Sequence, residues 1–366
     1  MSVTNSTYTT GESEMTIYQA LKRLAKNNLL ELSDNLFAKG KLYKLENLTE
    51  ELINNSKLSF IVGEHPSEYA LSPQMWNAEF HLRHSLDIFL PFDIAANDTD
   101  KLYALFDLLV KYGGKHFRVL TVTNPHKVVA LEYFKKLQIS HPDKIDISQD
   151  ALEIGATNQI LVGPDNVLHV INSDGRGMAN AIENLLVSNA KGLAGKKVGI
   201  IGAGGAARGI IYEISKRVSQ VPGGCVTVFN RTPEKVIELV NEFTAYFPGL
   251  KLEAKKLADL PELSLVQDVI VSSITSGNPL ADFAVYGELP DNTLIVDANY
   301  GSNSILFADA QKAGRSDLRI FDGSGMVVEG YIIPSKELAK LWGYEVSMEI
   351  YQTIGKLFDY QVAVKN

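Results

Sequence analysis

The sequence predicts an α/β protein built from two domains. Three observations carry that prediction. The chain has 366 residues, more than one ordinary domain holds. From about residue 57 onward, apolar runs of strand length alternate with amphipathic helical stretches. A glycine-rich turn sits between an apolar strand and a helix in "VGIIGAGGAARGII", residues 198–211.

Taken in order, the start "MSVTNSTYTTGESE" is polar and lacks the basic start and apolar core of a secretion signal. Residues 15–56, with "MTIYQALKRLAKNNLLEL" and "NLTEELINN", have helical spacing, so residues 1–56 are expected to be a partly helical extension that adds a packing layer. "KLSFIVG" and "HFRVLTVT" read as strands, and "DKLYALFDLLVKYG" between them as a helix. "ISQDALEIGATNQILVG" and "NVLHVINSDG" add shorter strands, and "GMANAIENLLVSNA" is a connecting helix. The runs "KKVGIIG", "CVTVFNRT", "DVIVSSITSG" and "TLIVDANYG" are almost continuously apolar, as parallel strands buried on both faces are. "EGYIIPSKELAKLW" and "SMEIYQTIGKLF" close the chain as helices.

Apolar residues make up 45% and charged residues 21%, the composition of a globular protein with a sizeable core. The formal net charge of −8 argues against nucleic acid or an anionic membrane as the main partner. Cys225 is the only cysteine, which excludes an intramolecular disulfide and a cysteine-based metal site. His81 and His84 in "HLRH" have no further ligands near them in sequence, so no metal is expected. No run of about 18 apolar residues occurs, and the expected setting is the cytoplasm.

In the glycine turn, Gly202, Gly204 and Ala207 fit G-x-G-x-x-A, with Gly205 as an extra glycine and Ala203 and Ala206 between. Such a turn lets the backbone approach a pyrophosphate, which then rests on the helix N-terminus. The next strand ends in "FNRTPEK". It offers Asn230, Arg231, Thr232 and Lys235 where an NAD site usually has a carboxylate. A guanidinium can bind a 2′-phosphate that a carboxylate would repel, so the cofactor reading is NADP. A plain helix start, with Thr232 as N-cap and Pro233 at the first position, is compatible with the same residues.

Lys127 follows a strand and a proline in "VLTVTNPHK", and Asp174 ends another strand in "INSDGRG". Strand ends of an open α/β sheet face the ligand crevice. A lysine and an aspartate converging there beside a nicotinamide would form a proton relay for alcohol oxidation, since the hydroxyl must lose its proton as hydride leaves carbon. From spacing alone, Lys127 reads more readily as a surface lysine than as a catalytic one.

The chain resembles the shikimate/quinate dehydrogenase family from about Lys57 to near its C-terminus. The motifs stand in the family's order: "GEHPSEYALSPQMWN", "VTNPHK", "IGATNQI", "NSDGRG", "GAGGAARG", "NRT", "DANYGSNSILFADAQKAG" and "GSGMVVEG". The resemblance implies a substrate-binding domain, residues 57–175, completed by returning C-terminal helices, residues 326–366. A Rossmann NADP domain would span 176–325. It implies an NADP-dependent dehydrogenase interconverting 3-dehydroshikimate and shikimate, on the chorismate route to aromatic amino acids, as a monomer or homodimer. By motif, Lys127 and Asp174 are the catalytic pair. Ser72, Thr121, Thr123, Asn158 and Tyr300 are substrate contacts. Gly202, Ala203, Gly204, Gly205, Ala206, Asn230, Arg231, Thr232, Lys235, Thr275 and Met326 hold the dinucleotide.

Three positions depart from the family pattern. Ala70 replaces the first of two serines, Thr121 replaces an asparagine, and Gly330 replaces a glutamine, with Glu329 beside it. Losing one hydrogen bond to a charged group is worth roughly 1.5–3 kcal/mol, enough to shift substrate preference. Glu329, as a substrate contact, or a residue of the N-terminal extension is expected to compensate. The alternatives are a quinate or aminoshikimate-type dehydrogenase, and a catalytically silent regulator that binds the same ligand.

Overall fold

In the computed structural model, residues 55–186, 192–274, 288–301, 304, 314–315 and 317–363 are described, together with the backbone of residues 37–38 and 41–42. The helices expected at residues 15–56 lie outside the described residues, apart from the short antiparallel pair β1 (Phe37–Ala38) and β2 (Lys41–Leu42).

The first layered unit runs β3 (Leu58–Gly63), α1 (Pro66–Tyr69), α2 (Ser72–Leu82), β4 (Ile88–Asp93), α3 (Thr99–His116), β5 (Phe117–Val122), α4 (Lys127–Ser140), β6 (Ile145–Ile147), α5 (Gln149–Ile154), β7 (Gln159–Val162) and β8 (Leu168–Ile171). Its sheet has the order β4-β3-β5-β7-β8-β6. β3 pairs parallel with β4 and β5, whereas β7 runs antiparallel to both β5 and β8. The antiparallel β7 lets a short hairpin return "NSDGRG" to the same sheet edge as the end of β5.

The helix α6 (Asp174–Leu185) leads to the second unit: β9 (Lys197–Ile201), α7 (Gly205–Val218), β10 (Cys225–Asn230), α8 (Pro233–Thr244), β11 (Lys251–Lys256), α9 (Leu260–Leu263), β12 (Val269–Ser272), β13 (Leu294–Asp297) and β14 (Arg319–Phe321). All six strands are parallel in the order β11-β10-β9-β12-β13-β14, the doubly wound dinucleotide-binding arrangement. Val198, Ile200, Val226, Val228, Val269, Val271, Leu294 and Val296 are buried, as strands covered on both faces require. The chain order reverses between β9 and β12, which opens a crevice beyond their C-terminal ends.

Two long helices tie the units together. α10 (Ser324–Trp342) packs along α6, and α11 (Met348–Lys356) lies against α2 and α10. Met75, Trp76, Phe80, Phe89, Val328, Tyr331, Leu338 and Tyr351 form the core under this layer. The C-terminal helices therefore return to the first sheet. At the seam of α6 and α7 the backbones touch: a Cβ on Gly175 would lie 2.0 Å from Gly209 O, so only glycine allows that approach. No helix among the described residues is long and apolar enough to cross a membrane.

Candidate active site

Two adjoining cavities lie where the sheets' C-terminal edges meet. The larger, about 390 Å³, is lined from the first sheet by Ile61, Thr121, Thr123, Lys127, Asn158 and Gln159 and from the second by Ala206, Ser273 and Asn299. The smaller, about 270 Å³, lies over the glycine turn and reaches Asn230 and Arg231. Asn124, Lys127, Ala206 and Ser273 line both.

Lys127 is the first residue of α4 and Asp174 the first of α6. Both are buried, and Lys127 Nζ donates to Asp174 Oδ2. The second carboxylate oxygen is held by Asn158, whose Nδ2 donates to Asp174 Oδ1 at 2.8 Å. Asn158 is in turn fixed by the Ser173 backbone N–H, which donates to its Oδ1 at 2.8 Å. The turn carrying Lys127 is pinned by backbone bonds from Thr123 N to Val62 O (2.8 Å), Glu64 N to Asn124 O (3.0 Å) and Thr157 N to Lys127 O (3.0 Å). Beneath it, buried His126 bonds through Nε2 to Ile94 O at 2.8 Å. The base–acid pair thus hangs from two helix starts and one strand start.

The glycine turn fits a phosphate-bearing dinucleotide. Gly202 has φ 113°, and a Cβ there would meet Ser273 Oγ at 2.6 Å, so the turn excludes any other residue. Around Gly204 a Cβ would meet nothing within 4 Å, which leaves its backbone open to a ligand. No side chain caps the start of α7, so its first N–H groups are available to an anion. A Cβ on Gly205 would lie 3.6 Å from Lys127 Cβ, so the lysine side chain runs directly past the dinucleotide turn.

The other sequence-derived residues divide into three groups. Ser72, Thr121, Thr123, Tyr300 and Met326 line the larger cavity, and Ala203, Gly204, Asn230 and Arg231 the smaller. Tyr300 also bridges the units, its hydroxyl donating to Tyr69 O at 3.2 Å. Burial, followed by the neighbouring Tyr69, pushes its phenol well above the ordinary tyrosine range. Thr232 and Lys235 are exposed at the start of α8 and line neither cavity. Thr232 occupies the N-cap position with Pro233 behind it, but its side chain makes no capping bond. Thr275 lies outside the described residues.

Glu329 corrects an expectation. It does not line the cavity but turns toward α6, accepting from Asn184 Nδ2 at 2.9 Å and from Tyr360 Oη at 3.0 Å. Successive helix residues point about 100° apart. Gly330 and Tyr331 lie on the cavity wall, and Glu329, on the other side of Gly330, faces α6.

Sequence reasoning missed Glu64, Trp76, Gln159, Ser273 and Asn299, all on the cavity wall. Ser273 directly follows β12 and Asn299 follows β13 by two residues, a strand-end position that could have flagged both.

Comparison with known proteins agrees with this geometry. A family model for shikimate / quinate 5-dehydrogenase matches residues 184–298. The chain is 28% identical to a shikimate dehydrogenase (NADP(+)) of Methanosarcina barkeri, across 80% of this chain and 96% of that protein. It is 30% identical to a shikimate dehydrogenase (NADP(+)) of Shouchella clausii, across 63% and 78%. The crystal structure of a shikimate dehydrogenase in complex with NADP+ superimposes with a TM-score of 0.64 at 21% identity, covering 88% of this chain and 99% of that one.

Proposed function

This chain belongs to the shikimate/quinate 5-dehydrogenase family, and from that premise we propose that it interconverts 3-dehydroshikimate and shikimate, or a closely related polyol acid, with NADP. It is an NADP-dependent oxidoreductase. The observation that carries the reading is the Lys127–Asp174 pair on the wall between the two cavities, one suited to a small polar ligand and the other to a dinucleotide.

In the oxidative direction the substrate hydroxyl sits against Lys127 and Asp174. Bound NADP+ supplies the hydride acceptor. From its neutral amine form, Lys127 Nζ takes the hydroxyl proton as the C–H bond breaks and becomes the ammonium, which returns that proton in the reverse direction. Asp174 accepts a hydrogen bond from the hydroxyl and keeps the amine aimed at it, while Asn158 keeps the carboxylate from rotating away. Gly204, Gly205 and the start of α7 would hold the pyrophosphate, and Asn230 and Arg231 the 2′-phosphate end.

The domain assignment that goes with this reading is residues 57–175 with 326–366 for substrate, 176–325 for NADP, and 1–56 as an extension. A cytoplasmic monomer or homodimer accompanies it. Ala70 and Gly330 stand on the cavity wall, and a Cβ on Gly330 would approach only Ser173 O, at 3.8 Å. That open space favours a relative of shikimate with an added substituent, such as quinate or an amino-substituted analogue, as a second substrate.

The test is nicotinamide absorbance with NADP+ or NAD+ and a panel of shikimate, quinate and amino-substituted analogues, with Lys127→Ala as control. NADP-dependent turnover of at least one polyol acid, lost in the variant, is the expected result. Folded, NADP-binding protein that is silent across the panel would overturn the reading in favour of a ligand-binding regulator.

A further inference from the structure

Thr121 on β5 and Gln159 on β7 face each other directly in the antiparallel register. Thr121 Oγ1 donates to Gln159 Oε1 at 2.9 Å. The two are 6% and 5% exposed, and both line the larger cavity. With its carbonyl held by Thr121, the Gln159 amide has two N–H donors left, and these have no partner among the described residues. Gln159 lines the cavity, so these donors are available there to a ligand or water.

In the same row across the sheet, Ile61 stands opposite Thr121 and Ile171 opposite Gln159. The helices over this face contribute Met75, Trp76 and Tyr331 to the cavity. The Tyr331 hydroxyl is already spent on buried Glu79, at 2.6 Å. Glu79 also accepts from Ser335 at 2.6 Å and pairs with Arg83 at 2.8 Å, so this wall is locked. On this side of the cavity the Thr121–Gln159 pair is flanked by Ile61 and Ile171 along the sheet.

Charge narrows what it can hold. Among the described lining residues, Lys127 is the only cationic side chain, and Asp174 neutralises it. A carboxylate elsewhere in the cavity must therefore be bound by neutral donors. Asn158 and Gln159 are adjacent and have different partners: Asn158 bonds Asp174 of the proton relay, Gln159 bonds Thr121.

We propose that Gln159 is a substrate-binding residue whose side-chain N–H groups hold the acid end of the polyol substrate, with Thr121 as the positioning residue that fixes its orientation. This rests on the polyol-acid reading above. It also accounts for Thr121: an amide absent from β5 is delivered from the facing position on β7.

Gln159→Glu is the informative change, because it keeps the shape and the acceptor for Thr121 while replacing the donors with a negative charge. Dissociation constants are read by quenching of cavity Trp76 fluorescence, and KM and kcat by nicotinamide absorbance, for shikimate and its uncharged carboxamide. In Gln159→Glu the expected rise in Kd and KM for the acid is about tenfold or more, with kcat changed by less than about threefold and the carboxamide affected less. Thr121→Val is expected to raise KM for the acid by a smaller factor. Gln159→Met, apolar and of similar length, should weaken acid binding without charge repulsion, and NADP binding serves as the folding control. Unchanged acid binding in Gln159→Glu, or equal loss for acid and carboxamide, would overturn the proposal. Wild-type binding without turnover would sink the enzymatic reading alone, since Kd still reports on Gln159. Wild-type protein that binds no polyol acid would overturn both.

Discussion

Lys127 and Asp174, 47 positions apart, are each the first residue of a helix, and the lysine amine donates directly to the aspartate carboxylate. Two helix starts therefore converge on one point at the edge of the first sheet, against the glycine turn of the second. The substrate cavity and the dinucleotide cavity share this wall.

Lys127→Ala and Asp174→Asn should each lower kcat by about 10²–10⁴-fold, the usual worth of a positioned acid–base group. NADP affinity should persist in both, because neither residue builds the glycine turn. Equilibrium binding alongside steady-state rates checks this. Retention of more than about a tenth of the wild-type kcat in Lys127→Ala would remove it from the proton path.

Arg231 is exposed at the end of β10 and lines the dinucleotide cavity. Its replacement by alanine is expected to weaken NADP by about 10–100-fold while leaving NAD within about threefold, since the guanidinium would meet the 2′-phosphate that NAD lacks. Asn230→Asp should shift preference the same way by placing a carboxylate there. Comparing kcat/KM for the two cofactors decides it.

Gly202→Ala imposes a side chain at φ 113°, within 2.6 Å of Ser273 Oγ. The strain should cost about 1–3 kcal/mol of stability. The rise in melting temperature that NADP produces should shrink as well, because the turn can no longer hold its shape around the pyrophosphate. Melting curves with and without NADP measure both effects.

Alkaline pH should destabilise the fold through its buried tyrosines. Burial pushes the Tyr351 phenol up to about 12, and burial likewise raises Tyr331, Tyr300, Tyr344 and Tyr360. Unfolding would return each to its ordinary value near 10. The folded state therefore holds more protons than the unfolded one above that pH. The contribution is complete below pH of about 10 and is lost as pH climbs through the folded values. Melting temperature should fall steeply between about pH 10 and 12, in step with tyrosinate absorbance. A flat profile across that window would contradict it.

Features set within a short stretch of chain could be read along it. Hydrophobic periodicity marks the strands of both sheets, and "VGIIGAGGAARGII" marks the dinucleotide turn, because strand, turn and helix start lie within one short stretch. The absence of a carboxylate after β10 is equally local, and it indicates the cofactor. Lys127 and Asp174 were legible as candidates because each stands at a strand end.

Features that depend on pairing emerged with the packed fold. That Asn158 anchors Asp174 follows from β7 folding back between β5 and β8. Gln159 became visible as a candidate contact only through the register that sets it opposite Thr121. A strand's side chains change face with every residue, so a shift of one position would have hidden it. Glu329 turned away from the cavity because α10 is rotated to put Gly330 there, a choice made by packing against α6. Strand register and helix rotation are long-range quantities, fixed by which surfaces bury each other, and no short stretch of this sequence encodes them alone.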